Sequence, residues 1–297
     1  MRVAPTPFSP WGEGKAGSPR MTETTSPWLT LHRGEAPLIV SFPHTGSDIP
    51  PDIEARLVSP WLGRKDADWW VDRLYDFAAN LGATTVRTAI SRTVIDVNRD
   101  PSGASLYPGQ TTTELCPTTT FDGESLYREG AAPDAEEIAR RRGLYFEPYH
   151  TALAAEIARL RGLHSRVVLY EAHSIRSLIP RLFDGPLPNF NIGTNGGQSC
   201  DPALAAAVKA RCAASAFTHV VDGRFKGGWT TRRYGRPAEG VHAIQMELAC
   251  RGYMDDPPGP TGPNNWPSSF DEAKAAPMRA ALTEILQACL AFAETVQ

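Results

Sequence analysis

The chain has 297 residues, a formal charge of −3, 41 % hydrophobic and 21 % charged residues, the make-up of an ordinary globular protein. Its slight acidity, with a pI near 6.2, excludes a chain-wide basic footprint for nucleic acid, and no apolar run approaches the roughly 18 residues of a membrane span. Glycine (25) and proline (26) make 51 of the 297 residues, about 17 % against a usual 12 % or so, yet below the level that marks disorder.

This length points to one large α/β domain, rich in the loops where sites tend to lie. Five scattered cysteines (Cys116, Cys200, Cys212, Cys250 and Cys289) form no CxxC pair. Such an odd set fits reduced, buried thiols in a cytoplasmic protein. Residues 1–20 hold four prolines and three glycines and lack the apolar core of a signal peptide. They read as a disordered or upstream extension, with Met21 as a possible start and 21–297 as the catalytic domain.

In chain order, residues 37–42 (PLIVSF) predict a buried strand that stops at Pro43 and feeds a loop over 43–51. The spacing of Trp69, Leu74 and Phe77 predicts a helix over 65–81, capped by Gly82. Residues 84–89 and 93–97 are two further strand candidates. A long Pro/Gly/Thr-rich stretch, 98–120, follows; loops of that length inside a domain are usually functional. Residues 134–160 carry the strongest helical pattern, with Pro148 as a kink or break. Residues 166–171 (RVVLYE) predict another buried strand, leading to Ala172, His173 and Ser174. Residues 180–199 read as loop. Asp201 then caps a helix over 201–214, with Pro202 in its first turn. A basic loop over 220–235, a strand over 242–250, a loop over 255–267 and a closing helix from Asp271 complete the chain. Strands alternating with helices predict a single α/β domain: a mixed, largely parallel central sheet flanked by helices.

In open α/β sheets, ligands sit beyond the carboxyl ends of the strands. Three of the strands here lead into ionisable residues: His44, Glu171 with His173, and Glu247. Two histidines placed this way suggest a metal pair, and neutral imidazole suits zinc. Each alone is about as easily a structural histidine. Glu247 in IQMELA weighs against that, because a carboxylate in a buried strand is costly unless paired or working. A hydrolytic zinc needs about three protein ligands and one open position, and Asp66 and Asp68 are available as the carboxylate. The segment 91–99 (SRTVIDVNR) places Arg92 and Asn98–Arg99 around an apolar run, where a guanidinium fork could grip a carboxylate. The basic loop adds Lys226, Arg232, Arg233 and Tyr234. Of these Lys226 and Arg233, like Arg236 just beyond, read better as surface residues.

Taken together, SFPHTGSDIP, DADWWVDRLYDF, SRTVIDVNRDP, YEAHSI, NIGTNGGQSC and GGWTTRRYGRPAEGVHAIQMEL resemble the N-formylglutamate amidohydrolase (N-formylglutamate deformylase) family, in order from about Pro37 to Pro267. The resemblance implies a zinc-carboxypeptidase-like fold (phosphorylase/hydrolase-like) and hydrolysis of N-formyl-L-glutamate to formate and L-glutamate, a step of histidine degradation. Related zinc enzymes, the succinylglutamate desuccinylase and aspartoacylase group among them, carry a His-x-x-Glu pair. Here Ser47 stands in the place of that Glu. By resemblance, His44 and His173 are metal ligands, Asp68 (or Asp66) is the third, and Glu247 is the catalytic base. Arg92 would assist at the oxyanion. Asn98, Arg99, Arg232, Tyr234 and Ser174 would contact substrate. The expected cofactor is Zn2+, or another divalent transition metal, and the expected partner a small acidic substrate, with no nucleic acid and no membrane. The alternatives are a related zinc amidohydrolase acting on another N-acyl acidic amino acid, and a non-catalytic protein of the same fold that binds acidic metabolites.

Overall fold

The computed structural model describes residues 22–104, 109 and 112–295; the expected extension over 1–20 and the Met21 start lie outside these. Eight strands form one mixed sheet. They are β1 (Thr22–Ser26), β2 (Leu29–His32), β3 (Leu38–Phe42), β4 (Thr84–Thr88), β5 (Val167–Ile175), β6 (Phe190–Gly193), β7 (His219–Val221) and β8 (Val241–Ala249). The order is β1-β2-β4-β3-β5-β8-β6-β7. Strands β4, β3, β5 and β8 are mutually parallel, while β2 joins β4, and β6 joins β8, antiparallel.

Side-chain alternation makes two cores from one sheet. Leu38, Val40, Val168, Tyr170, Ile244 and Met246 face one way; Ile39, Val167, Leu169 and Ala243 face the other. On the first face lie α2 (Val71–Leu74), α5 (Pro202–Ala214) and α7 (Glu272–Glu294). On the second lies α4 (Glu147–Arg161), which buries Tyr149, Leu153, Ile157 and Leu160. Single turns or short helices make up α1 (Pro51–Glu54), α3 (Ala135–Arg141) and α6 (Trp229–Tyr234). Asp201 caps α5 by accepting a bond from Ala203 N, with Pro202 in the first turn, as expected. Among the described residues no helix is long and apolar enough to cross a membrane.

Four expectations need correcting. Residues 93–97 are not a strand. Strand β4 is already flanked by β2 and β3, so no edge is left for them. They form buried turns instead, with Val94 N bonded to Ser91 O and Asp96 N to Leu115 O. The helix expected over 65–81 is broken, because Trp70 adopts a left-handed φ of 64°. Only α2 and a 3-10 turn over Asp76–Leu81 remain, the latter closed by Gly82 at φ 71°. The stretches 180–199 and 220–235, read as loops, contain β6 and α6, and the end of β7 reaches into the second. The β1–β2 hairpin was not anticipated either, although Leu29 and Leu31 alternate with half-buried Thr30 and His32. The helical stretch over 134–161 holds as one run through α3 and α4. A π-helical turn at Arg142–Phe146 sits just before Pro148, where the missing N–H and the ring of proline disturb the preceding turn.

Candidate active site

The carboxyl ends of β3, β5 and β8 meet at one edge of the sheet. Strand β3 ends at Phe42, and Pro43 turns His44 over that edge. The following loop runs so close to the end of β4 that a Cβ on Gly46 would lie 2.3 Å from the Ala89 carbonyl carbon. His173 lies inside β5, opposite Glu247 of β8. Asp68 arrives from the broken helix, its N–H bonded to His44 O at 2.9 Å. It lies in the non-helical segment before α2, two residues ahead of Trp70 at the helix's N-cap.

Three donor atoms converge. His173 Nδ1 stands 3.1 Å from His44 Nδ1 and 3.1 Å from Asp68 Oδ2, and His44 Nδ1 is 3.7 Å from that oxygen. All three residues are buried. Donors held tetrahedrally at about 2.0–2.1 Å from a zinc lie about 3.3–3.4 Å apart, so the set fits a divalent metal in spacing and in chemistry. Among the described residues this is the one His/Cys/Asp/Glu group that meets the geometry of a metal centre.

The outer contacts fix the imidazoles. His44 Nε2 lies 2.7 Å from Asp96 Oδ1. A proton on Nε2, donated to that carboxylate, leaves the Nδ1 lone pair facing the donor centre. His173 Nε2 faces Asn98 Nδ2 at 3.2 Å and the carboxylate of Glu171 at 3.6 Å. Asp96 itself is held by Arg92 Nη2 at 2.7 Å. Burial opposes its charge, but His44, Arg92 and Arg99 hold it well below the ordinary carboxylate range. Asp68 is likewise pulled down, its burial outweighed by the two imidazoles. His173, despite burial, is raised to about 10 by Asp68 and Glu171.

Glu247 is different. Burial pushes its carboxyl up to about 7, against the lowering effect of His173 and with Asp68 adding repulsion. Gln245, two residues earlier on the same face of β8, donates from Nε2 to Glu247 Oε2 at 3.2 Å. The Gln245 carbonyl accepts from Gly228 N at 2.7 Å, which fixes the amide's orientation. One Glu247 oxygen is thus occupied and the other left for chemistry.

His44, His173, Gln245 and Glu247 line one pocket together with Arg99, Arg224, Phe121, Ile175, Leu182 and Phe225. Not every expected residue reaches it. Arg92 does, but Asp96 and, at 3.6 Å, Asp68 Oδ1 already face it. Arg99 lines the wall, braced by Thr113 O at 3.1 Å and Thr113 Oγ1 at 3.0 Å. Asn98 has both ends of its amide engaged, one toward His173 and the other accepting from Thr230 N at 2.9 Å.

Three expected substrate contacts lie outside the lining. The Tyr234 hydroxyl is taken up by His150 at 3.2 Å. Arg232 donates to Gly227 O at 3.0 Å on α6. Ser174 points to the opposite face of β5, where its hydroxyl accepts from Tyr253 at 2.8 Å and its N–H steadies Asp68 Oδ2 at 3.2 Å. The alternative ligand Asp66 turns away as well: its Oδ2 accepts from Phe121 N at 2.7 Å, and burial raises its carboxyl to about 6. Sequence reasoning missed Asp96, Gln245 and Arg224. The first could have been noticed as a lone acid in the apolar run VIDV; nothing in the chain distinguishes the other two.

Comparison with known proteins decides the family. Residues 36–254 match the model of the N-formylglutamate amidohydrolase family. The chain belongs to this family. It is 47 % identical over 265 residues to an N-formylglutamate deformylase of Pseudomonas aeruginosa, covering 89 % of this chain and 96 % of that protein. A second deformylase, from Pseudomonas putida, is 44 % identical over the same length and shares of the two chains. The fold is also that of a crystal structure of N-formylglutamate amidohydrolase from Ralstonia eutropha JMP134, with a TM-score of 0.73 and 24 % identity over 90 % of this chain and 98 % of that one. A gene product of Agrobacterium tumefaciens shares it with a TM-score of 0.65 at 18 % identity, over 90 % of this chain and 96 % of its own.

Proposed function

We propose that this chain hydrolyses the formyl amide of N-formyl-L-glutamate, releasing formate and L-glutamate, with a divalent transition metal, zinc first, held by His44, Asp68 and His173. The observation that carries the proposal is the convergence of those three donors beside Glu247 in an arginine-walled pocket. The names of the Pseudomonas relatives supply the substrate. When bound, the metal supplies a Lewis acid for the formyl oxygen and lowers the pKa of a water.

The chain's own residues account for the rest. Glu247, with its carboxyl raised to about 7, is poised to take a proton near neutral pH and return it to the departing amine nitrogen. Gln245 fixes which of its oxygens is available. Arg99 offers a guanidinium to a substrate carboxylate. Arg92 sets Asp68 and Asp96 and presents its remaining edge to the pocket. Asp96 orients the His44 imidazole, and the Glu171 carboxylate is the acceptor facing His173 Nε2. The five cysteines are free and buried, which supports a reducing, cytoplasmic setting.

The test is formate release from N-formyl-L-glutamate beside N-acetyl- and N-succinyl-glutamate and N-formyl-aspartate. The formylglutamate substrate is expected to lead the panel. A different leader would point to a related amidohydrolase, and tight binding without turnover of any of them to a binding protein.

A further inference from the structure

The proposed substrate carries two carboxylates, so its recognition calls for two cationic contacts. Arg92 is largely neutralised by Asp96 at 2.7 Å and Asp68 at 3.6 Å. Arg99 touches Asp96 only at 3.7 Å and lies beside the donor centre, next in sequence to Asn98, whose amide meets His173. The other arginine of the wall is Arg224. Its Nε donates to Leu182 O at 2.8 Å, and its guanidinium lies 5.2 Å from the centre of the Phe225 ring. These contacts belong to the apolar part of the wall, formed with Ile175 and Leu182, and none involves a metal donor.

The loop carrying Arg224 is clamped at both ends. Asp222 holds Thr194 N at 2.8 Å and donates its own N–H to Ile192 O at 2.7 Å. Gly228 N bonds to Gln245, and a Cβ on Gly228 would lie 2.3 Å from Asn98 Nδ2. A guanidinium on such a loop is placed before the ligand arrives, which lowers the ordering cost of binding.

We infer that Arg224 is a specificity-determining residue that receives the side-chain carboxylate of the substrate, while Arg99 receives the α-carboxylate and the apolar wall covers the methylenes between them. The assignment rests on the hydrolytic function proposed above. An arginine–carboxylate pair of this kind carries two charge-assisted bonds. Its loss therefore lowers affinity by about a hundredfold or more.

The experiment compares wild type, Arg224→Gln and Arg224→Lys on N-formyl-L-glutamate and N-formyl-L-glutamine, which differ only at the side-chain terminus. The expected result is a fall of about a hundredfold in the ratio of the two kcat/KM values for Arg224→Gln, carried by KM, with partial recovery in Arg224→Lys. Equal losses on both substrates, or an unchanged ratio, would overturn the assignment. Calorimetry with glutarate, a dicarboxylate without a formyl group, reads the same contact without turnover. Its affinity should drop in the Gln variant by a similar factor, and an unchanged affinity would also overturn it. A wild type that binds glutarate through Arg224 yet releases no formate would instead fail the hydrolytic function and leave this contact standing.

Discussion

Asp66 and Asp68 are two residues apart, both buried, yet their surroundings make them different groups. Asp68 faces two imidazoles and is held below the ordinary carboxylate range. Asp66 faces a backbone N–H and, at 3.8 Å, Arg176, and burial raises it to about 6. Behind it lies a second charged region, where Lys65 meets Asp122 at 2.6 Å and Glu124 at 2.5 Å, and Arg176 meets Asp122 at 2.7 Å. That region already contains its own cations, Lys65 and Arg176. The donor region offers two imidazoles and a carboxylate converging on one point, which is what a metal completes. The presence of acids alone therefore does not mark a metal centre; the convergence of two imidazoles and a carboxylate does.

The largest expected effect breaks this comparison at its centre. Asp68→Ala should abolish stoichiometric metal and lower kcat/KM by about a thousandfold or more, whereas Asp66→Asn should keep the metal and lose less than about tenfold. Elemental analysis with formate-release kinetics checks both. Glu247→Gln comes next: metal retained, turnover reduced by about a hundredfold to ten-thousandfold. The wild-type kcat/KM should fall as pH drops through about 7, because only ionised Glu247 accepts a proton. A bound cation would move that limb lower, never higher. A pH profile with no acid limb near or below neutrality would remove Glu247 from the base role.

Stability should move the opposite way. Folding raises the Glu247 carboxyl above its usual value, so the folded chain binds that proton more tightly than the unfolded one. The contribution of Glu247 to wild-type stability therefore falls as pH rises from about 4.5 to 7 and stays lost above it. Glu247→Gln should then be more stable at pH 8 by on the order of 1–3 kcal/mol, read by thermal unfolding of the metal-free protein. Smaller still, Asp96→Asn should weaken metal affinity by about ten- to a hundredfold through loss of the His44 contact. Gln245→Leu should slow turnover by about tenfold with metal content unchanged.

How legible the molecule was depended on what each residue's signal reports. Strands β3, β5 and β8 are long apolar runs buried on both faces, so their patterns announced them, and the ionisable residues at their ends announced His44, His173 and Glu247. The broken helix was opaque, because Trp70 in a left-handed conformation has no local sequence cue. Residues 93–97 misled for the opposite reason: they are apolar and buried, but the preceding strand β4 is already flanked by β2 and β3. Asp96 was hidden inside that mistaken strand. In the basic loop, chain order favoured Arg232 as the carboxylate contact. The turn into α6 instead carries Arg232 and Tyr234 away from the pocket and leaves Arg224, eight positions earlier, on its wall. Which of several arginines faces inward is a property of the loop's path, and that path is set by bonds to Thr194, Ile192 and Gln245 distant in sequence.

The central claim, that His44, Asp68 and His173 hold the metal on which formate release depends, is tested most directly by one chelation experiment on wild type and Asp68→Ala. About one equivalent of metal per wild-type chain is expected, as in a catalytic site of three protein ligands with one open position. Release of formate from N-formyl-L-glutamate should then be lost on chelation and restored by zinc, with neither metal nor activity in the variant. Full formate release from metal-free wild type, or stoichiometric metal in Asp68→Ala, would contradict it.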